Sequence, residues 1–144
     1  MKLSTRTRYG IRAMMELALN YGKGPMQLKS IAKEEEISIK YLEQLMTVLK
    51  SAGLVTSVRG FKGGHILARP PGEIKIIECF DCLEGPVMTI DCVVNKDICH
   101  RSSDCVCRGL WSEFQQAARA VLERTTLQDL VDRKKQNKTP LYNI

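Results

Sequence analysis

The chain has 144 residues, 44% of them hydrophobic, and a formal net charge of +6. That is enough for one domain with a real core, or for a small domain with an extension. It contains no apolar tract of membrane-spanning length. The opening MKLSTRTRYGIRAMMELAL lacks both the uninterrupted apolar run and the small-residue cleavage site of a signal peptide, so a cytoplasmic protein is expected. The charge is uneven: residues 1–69 hold 12 Lys/Arg against 5 Asp/Glu, and residues 70–144 hold 10 against 11. An excess of positive charge confined to one half is what a nucleic-acid-binding half would carry.

From Ser4 to about Asn20, apolar side chains fall at Tyr9, Ile11, Met14, Met15, Ala18 and Leu19, the spacing of an amphipathic helix capped by Ser4 or Thr5. Gly22, Gly24 and Pro25 end it. Gln27 to Glu36 reads as a short second helix with Leu28, Ile31 and Ala32 inward. The Glu34–Glu36 run at its C-terminal end, where the helix dipole disfavours acids, reads as a solvated face. After a break at Ile37, Ser38 is a good N-cap for a third helix reaching about Ser51, with Leu42, Leu45, Met46 and Leu49 inward and Gly53 as terminator.

Two short helices joined by a tight turn form a helix-turn-helix pattern. The outward residues of the second one, Ser38, Lys40, Tyr41, Glu43, Gln44, Thr47 and Lys50, are mostly able to hydrogen-bond to base edges or phosphates. A plain solvent-exposed face is the competing account. Two β-rich runs follow, Leu54–Val58 and His65–Ala68, around the glycine-rich turn Arg59-Gly-Phe-Lys-Gly-Gly64. A hairpin directly after a helix-turn-helix is a wing. Gly60 allows close backbone approach, and Arg59 and Lys62 supply cations suited to a narrow minor groove. His65 reads as an ordinary wing residue.

Arg69-Pro-Pro-Gly72 closes a DNA-binding module over residues 1–69. The second part, residues 70–131, comprises a linking helix, a cysteine-rich loop over about 86–107, a helix over about 108–123 and a short last helix. Ile74 to Glu84 is the linking helix, with Ile77, Phe80 and Leu83 on one face. Cys79 and Cys82 lie in it at C-x-x-C spacing. No second knuckle stands at zinc-ribbon distance, so these thiols are expected to pack in the core. Arg108 to Glu123 is the clearest amphipathic stretch, with Leu110, Phe114, Ala117, Ala118, Val121 and Leu122 in its stripe and Trp111 beside it. Little else in the chain could cover that stripe, so pairing with a second copy is expected. Thr126-Leu-Gln-Asp129 resembles a capping box and opens a last helix through Val131, and residues 132–144 read as a mobile charged tail. The fold expected is therefore mainly α with a small β-hairpin: a winged helix-turn-helix plus a long dimerisation helix.

Between these helices, Ile90–Cys107 holds Cys92, Cys99, Cys105 and Cys107 within a polar stretch that has neither helical nor strand period. The spacing is C-x6-C-x5-C-x-C. Four thiolates complete an iron–sulfur cluster. Zinc accepts the same donors but favours C-x2–4-C knuckles, and a thiol redox switch also remains open. Structural disulfides are disfavoured in a reducing compartment. Only His65 and His100 could serve as an activating base, and no nucleophile motif surrounds the thiols, so an enzyme is not expected. An electron carrier would explain the cysteines, but neither the hairpin nor the basic half.

The opening MKLSTRTRYGIRAMMELALN, the block SIKYLEQLMTVLKSAGLVTSVRGFKGGH and Cys92, Cys99 and Cys105 together resemble the IscR-type iron–sulfur regulators. These are bacterial winged-helix repressors and activators related to the nitric-oxide sensor NsrR and the cysteine regulator CymR. The resemblance extends over about residues 1–131. It implies a homodimer paired through the 108–123 helix, binding a double-stranded operator. Ser38, Lys40, Tyr41, Glu43 and Gln44 would face the major groove and Arg59 the minor groove, with a cluster, 2Fe–2S by resemblance, in the cysteine loop. It further implies control of cluster-assembly genes, or of nitric-oxide or cysteine status. Glu43 matches a position that discriminates between two classes of site, and its carboxylate can accept from cytosine. Three departures stand out. The Cys92–Cys99 gap is one residue longer than usual. Arg108 occupies the place of a histidine ligand, and Arg8 lies where an acidic ligand is found in NsrR. Cys107 is then the first candidate for the fourth ligand and His100 the second.

Overall fold

Ser4 starts the first helix by accepting a hydrogen bond on its side-chain oxygen from the Thr7 amide, and α1 runs Thr5–Leu19. The structure is a computed structural model describing residues 2–137. α1 is followed by α2 (Leu28–Glu35) and α3 (Ile39–Ser51). The turn between these two is made by Glu36 in the left-handed region at φ 55° and closed by the Ile37 amide on the Ala32 carbonyl. Ser38 caps α3 through the Tyr41 amide at 3.0 Å. Gly53, at φ 75°, ends it by letting Leu54 N–H reach the Leu49 carbonyl, a turn that a β-carbon would strain. The chain then forms β1 (Val55–Val58) and β2 (Gly64–Leu67), an antiparallel pair with Val55 opposite Leu67 and Val58 opposite Gly64.

A 3₁₀ turn at Pro71–Glu73 leads to α4 (Ile76–Leu83). Beyond it come α5 (Asp91–Val94), a second 3₁₀ turn at Lys96–Ile98, α6 (Val106–Arg124) and α7 (Leu127–Asn137). The fold is thus mainly helical with one two-stranded hairpin. One continuous core joins both halves of the sequence. Met14, Leu17, Ile31, Leu42, Leu45 and Leu49 meet Leu67, Ile74, Cys79, Leu83, Leu127 and Val131. Each fully buried aliphatic side chain of this kind contributes about 1.5–3 kcal/mol. Gly10 faces Leu83, so α4 lies directly against α1 at the one position of α1 without a side chain. Lys75 and Thr126 form an isolated antiparallel bridge, flanked by Ile76 N–H to Thr125 O (2.8 Å) and Leu127 N–H to Ile74 O (3.0 Å).

The structure departs from the sequence reading in four places. Glu35 is buried rather than solvated. It stands one turn after Ile31 on the inward face of α2, where the Arg12 guanidinium pairs with it. Burial pushes its carboxyl above the usual range, Arg12 pulls it back, and neighbouring Glu16 pushes it up again. The last helix continues past Val131 to Asn137, and within this extension Lys134 reaches back 3.1 Å to Glu16 on α1. The rest of the expected tail, residues 138–144, lies outside the described residues. The cysteine loop contains a helical turn, α5, and a 3₁₀ turn. Finally, α6 starts at Val106, so Cys107 belongs to the helix. No helix among the described residues is long and apolar enough to cross a membrane.

Candidate nucleic-acid interface and cysteine loop

Lys40, Glu43, Gln44, Thr47 and Lys50 are all exposed on α3, opposite the buried Leu42, Leu45, Met46 and Leu49. Thr47 turns its hydroxyl back onto the Glu43 carbonyl. Ser38 is exposed, but its oxygen is committed to the cap. Tyr41 is half-buried, with its ring edge-on to Tyr9 at 6.3 Å, and Arg12 lies over the Tyr9 ring at 5.3 Å. On α3, Lys40, Glu43 and Gln44 therefore present free polar ends, whereas Tyr41 also fixes α3 against α1. Arg59, Gly60 and Lys62 are exposed at the hairpin tip, with Gly60 at φ 110°. His65 lies near the turn end of β2, where its backbone bridges to Met26, and burial lowers its imidazole pKa.

The thiols divide into two sets. Cys79 is fully buried on α4, and burial pushes its pKa up to about 12. Cys82 is half-buried and also raised by burial, and it donates to the Cys79 carbonyl at 3.2 Å. Both are poor ligands and nucleophiles in this environment. Cys92, Cys99 and Cys105 are half-buried, Cys107 is exposed, and all are free thiols. Cys92 sits on α5 and Cys105 is the residue that opens α6. Cys105 and Cys107 line one shallow depression together with His100, while Cys99 shares the neighbouring one with His100 and Arg108.

Arg108 has a role that the sequence did not reveal. Its Nε donates to the Cys92 carbonyl at 2.6 Å and its Nη2 to the Val93 carbonyl at 3.4 Å, tying the end of α5 to the start of α6. These carbonyls lie in the last turn of α5, where no intrahelical donor reaches them.

The donor chemistry of the loop suits an iron–sulfur centre or zinc. Among the described residues, however, no group of three or more His, Cys, Asp or Glu side chains is gathered to hold a metal ion. Cys92, Cys99, Cys105 and Cys107 fit such a group by ligand type, and bringing them together requires the loop to fold around it.

α6 has no buried residue. Leu110, Trp111, Phe114 and Val121 are 43–55% exposed, and Val106 is 87% exposed. Towards its C-terminal end, Ala118, Val121 and Leu122 line an apolar groove with Leu3, Phe80 and Val87.

The Rrf2 family, described as iron-dependent transcriptional regulators, matches residues 3–133. The regulator CymR of Bacillus subtilis (strain 168) is 41% identical over 130 residues, covering 90% of this chain and 89% of that protein. Its solved structure, described as the global cysteine regulator, superposes with a TM-score of 0.80 at 39% identity and covers 92% of this chain and 98% of that one. The structure of T. potens IscR gives the same TM-score at 37% identity, covering 99% and 95%. These relatives are regulators of transcription and not enzymes, and this chain belongs to the Rrf2 family of DNA-binding transcription regulators.

Proposed function

We propose that the protein acts as a cytoplasmic homodimer on a double-stranded operator. Lys40, Glu43 and Gln44 of α3, with Ser38 and Tyr41 at its start, face the major groove, and Arg59, Gly60 and Lys62 of the wing reach the minor groove. An iron–sulfur cluster held by Cys92, Cys99, Cys105 and Cys107 sets the affinity or the choice of site. The similarity to IscR supports 2Fe–2S and control of cluster-assembly genes. The observation that carries the reading is that Cys105 opens α6, while the apolar stripe of α6 is left uncovered. Loop and pairing helix are thus one continuous piece, and whatever fixes the loop thiols also fixes the start of α6. When bound, the cluster supplies a redox-active, chemically labile centre. The chain supplies the thiolates, the Arg108 tether and the coupling to α3 through α4. A coupling of about 1–3 kcal/mol, or about 5–150-fold in DNA affinity, is typical for such a link.

A second reading, regulation by thiol or cysteine status, is favoured by Arg108. By the resemblance to IscR-type regulators it takes the place of a histidine ligand, and it bonds the backbone of Cys92 and Val93.

The deciding experiment is an absorption spectrum of anaerobically purified protein with iron, acid-labile sulfide and zinc counted on the same sample, before and after Cys107→Ala. Coloured protein with matching iron and sulfide, reduced in the variant, is expected. Colourless, metal-free protein whose DNA affinity follows thiol oxidation would establish the second reading. Stoichiometric zinc without colour would refute both.

A further inference from the structure

Phe61 is 96% exposed, the most exposed large apolar side chain among the described residues. Isolated apolar residues are ordinary on protein surfaces, so exposure alone carries nothing. Its setting is what matters. The Gly63 amide donates to the Gly60 carbonyl at 3.0 Å, closing a tight turn with Phe61 and Lys62 at its two corners. Arg59 stands two residues before Phe61 and Lys62 directly after it, and all three side chains are exposed at the tip. The backbone also packs closely at the end of the turn. A β-carbon on Gly63 would collide with the Val58 carbonyl, and one on Gly64 with the Met26 carbonyl. Next to the turn, β2 is pinned to the α1–α2 connection by His65 N–H to Met26 O (2.7 Å) and Met26 N–H to His65 O (2.9 Å).

Given the DNA-reading surface proposed above, on which this inference rests, we propose that Phe61 is an apolar wedge that enters the minor groove beside Arg59 and unstacks one base step. The flanking cations neutralise the phosphates on either side of the groove. The hydrogen-bonded turn reduces the backbone ordering that binding requires of the tip. Wedges of this kind kink the duplex, and pyrimidine–purine steps yield most easily. Phe61 therefore contributes specificity by reading deformability rather than hydrogen-bond pattern, and it complements Glu43 and Gln44 on α3.

The test starts from a duplex selected by the protein from a randomised 30-base-pair pool, with 2-aminopurine placed in turn at each step under the wing. Phe61→Ala is expected to weaken binding about tenfold to a hundredfold, the range of an aromatic–base stack. The 2-aminopurine signal should be lost while the dependence of log K on log salt keeps its slope. Phe61→Leu, which retains an apolar wedge, should recover most of the affinity. Neither change removes a buried contact, and unchanged thermal melting confirms intact folding. Equal affinity of Phe61→Ala and the wild type overturns the wedge, as does a loss accompanied by a shallower salt slope. Failure of the wild type to enrich any duplex overturns the DNA-reading surface itself, before Phe61 is changed.

Discussion

The contact of Gly10 with Leu83 sets how closely the arm carrying the cysteine loop lies against α1, and a two-residue cycle tests it. A methyl on Gly10 would collide with Leu83 Cδ1 and lie 2.9 Å from Cδ2, and Leu83 is only 5% exposed and has little room to move. Overpacking of this kind costs about 1–3 kcal/mol, while alanine in place of a mid-helix glycine returns about 1 kcal/mol. Gly10→Ala should therefore destabilise by up to about 2 kcal/mol. Leu83→Ala leaves a cavity and costs about 2–4 kcal/mol. In the Leu83→Ala background the collision is gone, and Gly10→Ala becomes stabilising by about 1 kcal/mol. The two changes are thus coupled by about 1–3 kcal/mol, the size of the collision itself. Urea unfolding of the four proteins, reduced, metal-free and at one protomer concentration, measures the cycle, because association would otherwise shift the midpoints. Additivity within about 0.5 kcal/mol would mean that α1 and α4 do not bear on one another here.

Glu84, at the end of α4, accepts from the Ser4 and Thr7 hydroxyls, and these bonds hold its carboxyl below its ordinary 4.5. Its contribution is present above pH 4.5 and is lost as pH falls through the lower folded value, so Glu84→Gln should lower Tm at pH 7 and make no difference in strong acid. Arg108→Ala releases α5 from α6, and alkylation of Cys92 by iodoacetamide should accelerate several-fold; an unchanged rate would remove the tether. Alanine at Lys40, Arg59 or Lys62 should each flatten the salt slope of DNA binding by about 0.9 if the side chain neutralises one phosphate. Glu43→Ala, by contrast, should tighten binding to all duplexes and narrow the gap between specific and nonspecific sites, as measured by anisotropy.

Local signals carried much of the fold. Ser4 and Ser38 announce their helices because a hydroxyl before an apolar period is a cap, and Gly53 ends α3 as its position suggests. Leu42, Leu45, Met46 and Leu49 are buried as their spacing requires. Distant partners were not legible. Glu35 looked solvated because its neutralising Arg12 lies on another helix, and Lys134 looked like tail because Glu16, its partner, is 118 positions away. Asp91–Val94 is too short to show a period. In the cysteine loop, residue type indicated the available chemistry, whereas the spread of the four thiols and the backbone tether of Arg108 depend on how α5 meets α6. Phe61 carries no signal in the sequence, because an aromatic in a glycine-rich turn looks apolar without revealing that nothing covers it.

The bridge between Lys75 and Thr126 has a consequence for how such a protein can change over generations. Chain leaving the helical body at Lys75 comes back to the same point at Thr126, so the intervening stretch is a closed excursion whose two ends are already fastened together. Residues added or removed near its far end leave the seating of α7 on α1 untouched, and lengthening an unstructured connection is thermodynamically cheap. The length of the loop between α4 and α6 can thus vary while the packing of α1, α4 and α7 is kept.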